Sequence, residues 1–248
     1  MARKPSHPEG EAPTPRNISA SDKPMRAKII DAFMALLAEK PFEEITPSEI
    51  AATAGLTLAD VRGEFGSPLA ILAGFMKEID RTVLSKRDDD LSEEPARERL
   101  FDVLMQRFEA LTPYKAAIRS LARSAMRNPG LAFALNGLSV QSQQWMLAAA
   151  DIGSSGPKGL MRAQGLSMIF SSVARTWLKD EDEDEGHART MAALDRALAR
   201  GQGFARLLDD IFMIPQAACR IRSRFRARRR DAWDDDDGYP REDHRPAA

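Results

Sequence analysis

The chain has 248 residues, 43% of them hydrophobic, with 36 Lys and Arg against 37 Asp and Glu and a formal net charge of -1. Such a balance gives no global pull toward nucleic acid, and the lone cysteine, Cys219, excludes an internal disulfide and suits a reducing compartment. No apolar run has the length of a membrane span, and residues 1–17 lack the apolar stretch of a signal peptide, so a cytoplasmic location is expected.

Tyr and Trp are scarce, no stretch alternates with period two, and helix formers dominate without β-branched runs. The expected class is all-α: an N-terminal helix-turn-helix followed by a larger helical bundle. Residues 1–20 read as a disordered arm, with Pro5, Pro8, Pro13 and Pro15 opposing regular structure. Asp22 is placed to cap a first helix, Pro24 lies in its first turn, and Ile30, Phe33 and Leu37 give it one apolar face. Lys40-Pro41 should end it. Thr46-Pro47-Ser48-Glu49 fits a capping box for a second helix that stops at Gly55. Thr57 can cap a short third helix ending near Phe65, and Ser67-Pro68 can start a fourth with Leu69, Leu72, Met76, Ile79 and Val83 on one face.

The polar residues 86–94 mark a boundary, so residues 21–85 are read as one domain and 95–212 as another. Helices are expected at about 95–111, 114–127, 131–150, 157–179 and 188–210, broken at Thr112-Pro113, Asn128-Pro129-Gly130, the 153–159 loop and the acidic run 180–185, read as solvated. Residues 213–248 read as a basic segment, 215–230, followed by a disordered acidic tail.

A helix-turn-helix needs a Gly where the chain reverses, a small residue where its two helices nearly touch, and aliphatic residues that fix their crossing. Ile50, Ala51, Gly55, Leu56 and Val61 occupy those places, with Phe65 closing the motif. Residues 45–75, ITPSEIAATAGLTLADVRGEFGSPLAILAGF, resemble the TetR family of transcriptional regulators, and the likeness extends over roughly residues 22–85. It implies a homodimer that binds double-stranded operator DNA and is released by a small apolar or amphipathic ligand held in the C-terminal bundle.

Two places depart from the family pattern: Arg62 stands where a phosphate-contacting Tyr is usual, and Pro68 where a Lys is usual. Arg26, Lys28, Thr46 and Arg62, with Arg3, Lys4, Arg16 and Lys23 of the arm, are the candidate phosphate contacts. Thr57, Leu58, Ala59, Asp60 and Arg62 are the candidate base readers, through thymine methyls and a guanine contact from Arg62. Asp60 and Glu64 oppose phosphate, and over residues 22–87 the charges nearly cancel.

In the later helices Phe101, Met105, Phe108, Met126 and Trp145 recur at helical spacing, which suits a packed core or the lining of an adaptable apolar cavity. Gln141, Gln143, Gln144 and Arg119 are candidate polar contacts to a ligand, and the small residues Gly165, Ser167, Ser171 and Ser172 suit a helix-to-helix dimer surface. Trp177-Leu178, the acidic run, Arg189-Thr190 and Leu194-Asp195-Arg196 are similar to the late helices of TetR-fold ubiquinone-biosynthesis accessory proteins, which implies a second possibility: a lipid- or isoprenoid-binding protein that no longer binds DNA. The segment from Pro215 to Arg230 could then lie on a membrane surface, or serve as a solvated basic arm.

An enzyme is not expected. His7, His187 and His244 form no spaced cluster with Cys219, and no Gly-rich phosphate loop follows a strand. No catalytic residue, metal ligand or cofactor is therefore assigned.

Overall fold

The computed structural model describes residues 24–86, 94–180 and 187–201; the arm, the basic segment 215–230 and the acidic tail lie outside the described residues. Among the described residues there is no strand, and no helix is long and apolar enough to cross a membrane. The helices are α1 (Met25–Glu39), α2 (Pro47–Ala54), α3 (Leu58–Glu64), α4 (Pro68–Ser85), α5 (Ala96–Leu111), α6 (Lys115–Arg127), α7 (Pro129–Ala149) and α8 (Gly156–Trp177). Residues 188–201 are helical as well. Among the described residues there are two compact units: one comprises residues 24–79 together with Leu111–Leu135, the other the described residues of 80–110 and 136–201.

In the first unit α1 buries Ile29, Ile30, Phe33, Met34 and Leu37, two interleaved i, i+4 rows that make one face. It ends where Lys40 turns extended (φ -140°), as a residue preceding Pro41 is driven to do. A 3-10 turn, Phe42–Glu44, follows, and Phe42 meets Phe33 edge-on at 6.1 Å. The unit also contains α6, which packs on α1. Two buried hydroxyls of α6 make that union specific. Ser120 Oγ donates to the Lys40 carbonyl at 3.0 Å, and Ser124 Oγ accepts from the Phe42 N–H at 3.1 Å. Both satisfy backbone groups freed where α1 stops. Phe75 of α4 and Tyr114, just before α6, add an edge-on ring pair at 4.7 Å.

In the second unit Leu104, Phe108, Met146, Ala163, Leu166, Val173, Trp177, Leu194 and Leu198 are buried. Phe108 stacks on Phe170 at 4.7 Å and leans on Trp177 at 5.6 Å. Asp180 corrects the reading of the acidic run as solvated throughout: it is buried, and its Oδ2 accepts from the Thr190 N–H (3.1 Å) and hydroxyl (2.9 Å). The two bonds to Oδ2 offset part of the cost of burying this carboxylate, and they secure the start of the 188–201 helical stretch.

Candidate nucleic-acid interface

The turn between α2 and α3 is fixed by its own side chains. Thr46 Oγ1 accepts from the Glu49 N–H at 3.3 Å while Glu49 Oε2 accepts from the Thr46 N–H at 2.9 Å, completing the capping box at the start of α2. At its end Gly55 adopts φ +64°, the left-handed conformation that glycine takes without a Cβ penalty, and the Leu56 N–H reaches back to the Ala51 carbonyl at 3.0 Å. Thr57 and Asp60 form a second box for α3: Asp60 Oδ2 accepts from the Thr57 N–H (2.9 Å) and hydroxyl (2.6 Å), and Thr57 Oγ1 accepts from the Asp60 N–H (3.2 Å). Ile50, Ala51, Val61 and Phe65 are buried under the turn, as motif scaffold residues must be; Leu56 is half-buried.

The outer face of α3 presents Thr57, Leu58, Ala59 and Arg62, all exposed. Leu58 is 51% exposed and helps line an apolar notch of about 280 Å³ with Pro47, Val61, Phe65 and Pro68. Arg62 Nη1 donates to the Gly66 carbonyl at 3.2 Å, which holds the guanidinium along the turn into α4, where Ser67 Oγ caps by accepting from the Ala70 N–H at 3.2 Å. Arg26 is exposed; its guanidinium lies 4.2 Å from the centre of the Phe65 ring and 3.8 Å from Glu64. Lys28 is half-buried on α1.

Asp60 and Glu64, which oppose phosphate by sequence count, and Glu49 each have a place in this framework. Asp60 serves α3 as a cap, Glu64 pairs with Arg26, and Glu49 pairs with Lys40 while closing the α2 box. Bonds from the Thr57 hydroxyl and N–H hold Asp60 below the usual carboxylate range. The Lys40 ammonium, with the Thr46 N–H and hydroxyl, lowers Glu49 from 4.5 to about 2. A carboxylate depressed by folding stabilises the fold above its unfolded value and loses that contribution as pH falls toward its folded one. The melting temperature of Glu49→Gln should therefore lie below that of the parent by a constant margin above about pH 5, and the two should converge between about pH 4.5 and 2. A margin that persists unchanged at pH 2 would show that Glu49 acts without its charge.

Sequence reasoning passed over three contributors: Lys40, the Arg26–Glu64 pair, and Gly74. A Cβ at Gly74 would sit 2.9 Å from the Phe65 ring and 3.0 Å from Arg26 Nη2, so only glycine lets α4 pass this close. Its signal was a glycine inside the apolar run 69–76, which marks a close approach. The side chains expected to surround a ligand differ in burial. Met105 and Phe108 are buried and Phe101 is half-buried, all on α5. Gln141 is exposed, and so are Met126 (79%) and Trp145 (56%), so these three face outward from a single chain. Their helical spacing was real, but periodicity names a face without saying what covers it.

No family model and no curated protein matches the chain. Among solved structures it is similar to a TetR transcriptional regulator from Nitrosomonas europaea ATCC 19718, with a TM-score of 0.57 and 21% identity over 72% of this chain and 98% of that one. It is similar also to a TetR transcriptional regulator from Rhodococcus sp. RHA1, with a TM-score of 0.50 and 19% identity over 71% of this chain and 94% of that one. At such identities the fold is what is shared: the chain has the all-helical fold of TetR transcriptional regulators, with a helix-turn-helix at α2–α3.

Proposed function

We propose that this chain is a ligand-responsive DNA-binding transcriptional regulator that acts as a repressor, two copies of it presenting α3 to successive major grooves. The observation that carries the reading is the outer face of α3, where Thr57, Leu58, Ala59 and Arg62 are exposed on a helix started by its own capping box, as α2 before it is. Such a face can read base edges, Leu58 offering apolar contact to thymine methyls and Arg62 a cation for guanine or phosphate. Arg62 also lies beside the start of α4, where a helix carries partial positive charge, so cation and dipole favour the same anionic backbone. A row of exposed apolar side chains on α8 (Leu160, Met161 and Met168) supports pairing of two copies.

The test is a mobility shift with DNA from immediately upstream of the protein's own coding region. A retarded band at low salt is expected, with a footprint of two half-sites about one helical turn apart. Arg62→Ala should weaken binding about tenfold or more and reduce the slope of log affinity against log salt by about 1. No band at low salt, or an Arg62→Ala protein that binds as the parent does, would overturn the assignment.

A further inference from the structure

At the C-terminal end of α8 the second unit has a cavity of about 370 Å³ whose described lining is polar throughout. Ser172, Arg175 and Thr176 of α8 line it, with Lys179 and Asp180 just beyond and Arg189 from the 188–201 helical stretch. Three cations therefore share one cavity with a single described carboxylate. That carboxylate is committed, since Asp180 is buried and its Oδ2 accepts from Thr190. Arg175, Lys179 and Arg189 are exposed, and among the described residues none of them pairs with an Asp or Glu. The ordinary account of such charges covers two of the three. Arg175 and Lys179 stand where α8 ends, and the negative end of a helix dipole favours cations. Arg189 stands in the first turn of the following helical stretch, where the dipole end is positive and opposes a cation. It adds a third positive charge to a cavity that already carries two, and a bound anion would offset it.

The lining also selects among anions. Three positive charges stand against the one negative charge of Asp180, so a dianion balances the cavity and a monoanion leaves a charge over. A phosphate monoester is such a dianion near neutral pH, and its three terminal oxygens give each cation one to meet. Guanidinium groups match those oxygens with two parallel bonds, which a planar monocarboxylate can offer to only one of them. The Ser172 and Thr176 hydroxyls, one turn apart on α8, both donate and accept and so suit hydroxyl groups on the carbon part of the ester. The volume leaves room for a short chain beside the phosphate, and the lining offers that chain no apolar side chain. We propose that this cavity binds a phosphate monoester carried on a short polyol, with Arg175, Lys179 and Arg189 on its terminal oxygens. The site belongs wholly to the second unit and goes beyond the DNA reading, needing no DNA.

Calorimetry on the full chain at low salt tests the proposal, with glycerol 3-phosphate, dimethyl phosphate, acetate and glycerol as probes. Glycerol 3-phosphate should bind at least ten times more tightly than either monoanion, and glycerol should give no heat. Arg189→Gln and Arg175→Gln should each lower its affinity about fivefold or more. Neither should lower the melting temperature, since both side chains are exposed. Arg196→Gln removes the same charge from the same helical stretch outside the cavity and should leave the affinity unchanged. Flotation with phosphatidylcholine vesicles, with and without phosphatidic acid, separates the two sources of such an ester. Binding of glycerol 3-phosphate without flotation assigns a free molecule. Flotation that needs phosphatidic acid and is lost in Arg189→Gln assigns a lipid headgroup. Equal affinity for glycerol 3-phosphate and dimethyl phosphate, or an Arg196→Gln as damaging as Arg189→Gln, would overturn the site and leave a generally basic surface. A parent that binds neither ester would overturn it as well. Recovery of binding in a variant with Asn and Gln at 181–185 would then show that the chain's own acidic run fills the cavity.

Discussion

Arg107→Leu is expected to lower the stability of the chain to urea by about 3–5 kcal/mol, the range seen when one member of a buried ion pair is removed. Arg107 and Asp80 are 2% and 8% exposed, and the pair joins α5 to α4 with the Ser142 hydroxyl as third member. Loss of the guanidinium leaves the Asp80 carboxylate inside the second unit with a single hydroxyl for company, and that desolvated charge, more than the lost attraction, sets the cost. The sign of the next step follows. The double variant Asp80→Leu/Arg107→Leu removes the stranded charge as well and should regain much of the loss, giving a coupling energy well above the additive expectation. Denaturation followed by far-ultraviolet circular dichroism measures both. A single variant within about 1 kcal/mol of the parent would mean that water reaches Asp80 and the pair is not buried in solution.

That pair also marks where legibility in the sequence ends. The starts of α2 and α3 and the reversal between them were written locally: Thr46 with Glu49, Thr57 as a cap, and Gly55 at the turn each act within three or four residues, and each is found in the structure. The break at Lys40-Pro41 and the buried face of α1 were equally local. Asp80, Arg107 and Ser142 lie 27 and 35 positions apart, and nothing in their spacing announces that three polar residues share one interior. The hydroxyls of Ser120 and Ser124 are a second case. A serine within a helix of arginines and alanines reads as surface, yet these two reach the freed backbone of the α1–α2 connection and bring α6 into the first unit. Met126 and Trp145 are the opposite case: they are apolar at helical spacing yet exposed on the single chain, and periodicity does not say what covers them. At the helix-turn-helix the sequence showed the scaffold and the outward side chains of α3, while the Lys40 partner of Glu49 and the occupation of Asp60 and Glu64 emerged only from geometry.

Trp177→Ala should produce the second large loss, about 3–5 kcal/mol, because it removes one of the largest side chains of the second unit from a site with no exposed surface. Its ring leans on Phe108, itself wholly buried and stacked on Phe170 with an interplanar angle of 13°. Ring contacts of this kind add only about 0.5–1.5 kcal/mol beyond area, so the greater part of the loss is transfer and cavity. Two further substitutions separate these contributions. Trp177→Phe keeps an aromatic face against Phe108 and fills most of the volume, so it should cost less than half as much as the alanine. Phe170→Ala removes the stacked partner from a half-buried position, where little cavity forms, and should also fall well below Trp177→Ala. If Phe170→Ala proved as costly as Trp177→Ala, stacking and not burial would govern the cluster. The position of Trp177 gives its loss a further reach: it closes α8 three residues before Asp180, whose carboxylate holds the Thr190 end of the helical stretch 188–201. Loosening the tryptophan should therefore raise amide hydrogen exchange at 188–192 more than at α2 and α3, whose capping boxes do not depend on it. Uniform exchange across both regions would show that the chain unfolds as one cooperative body.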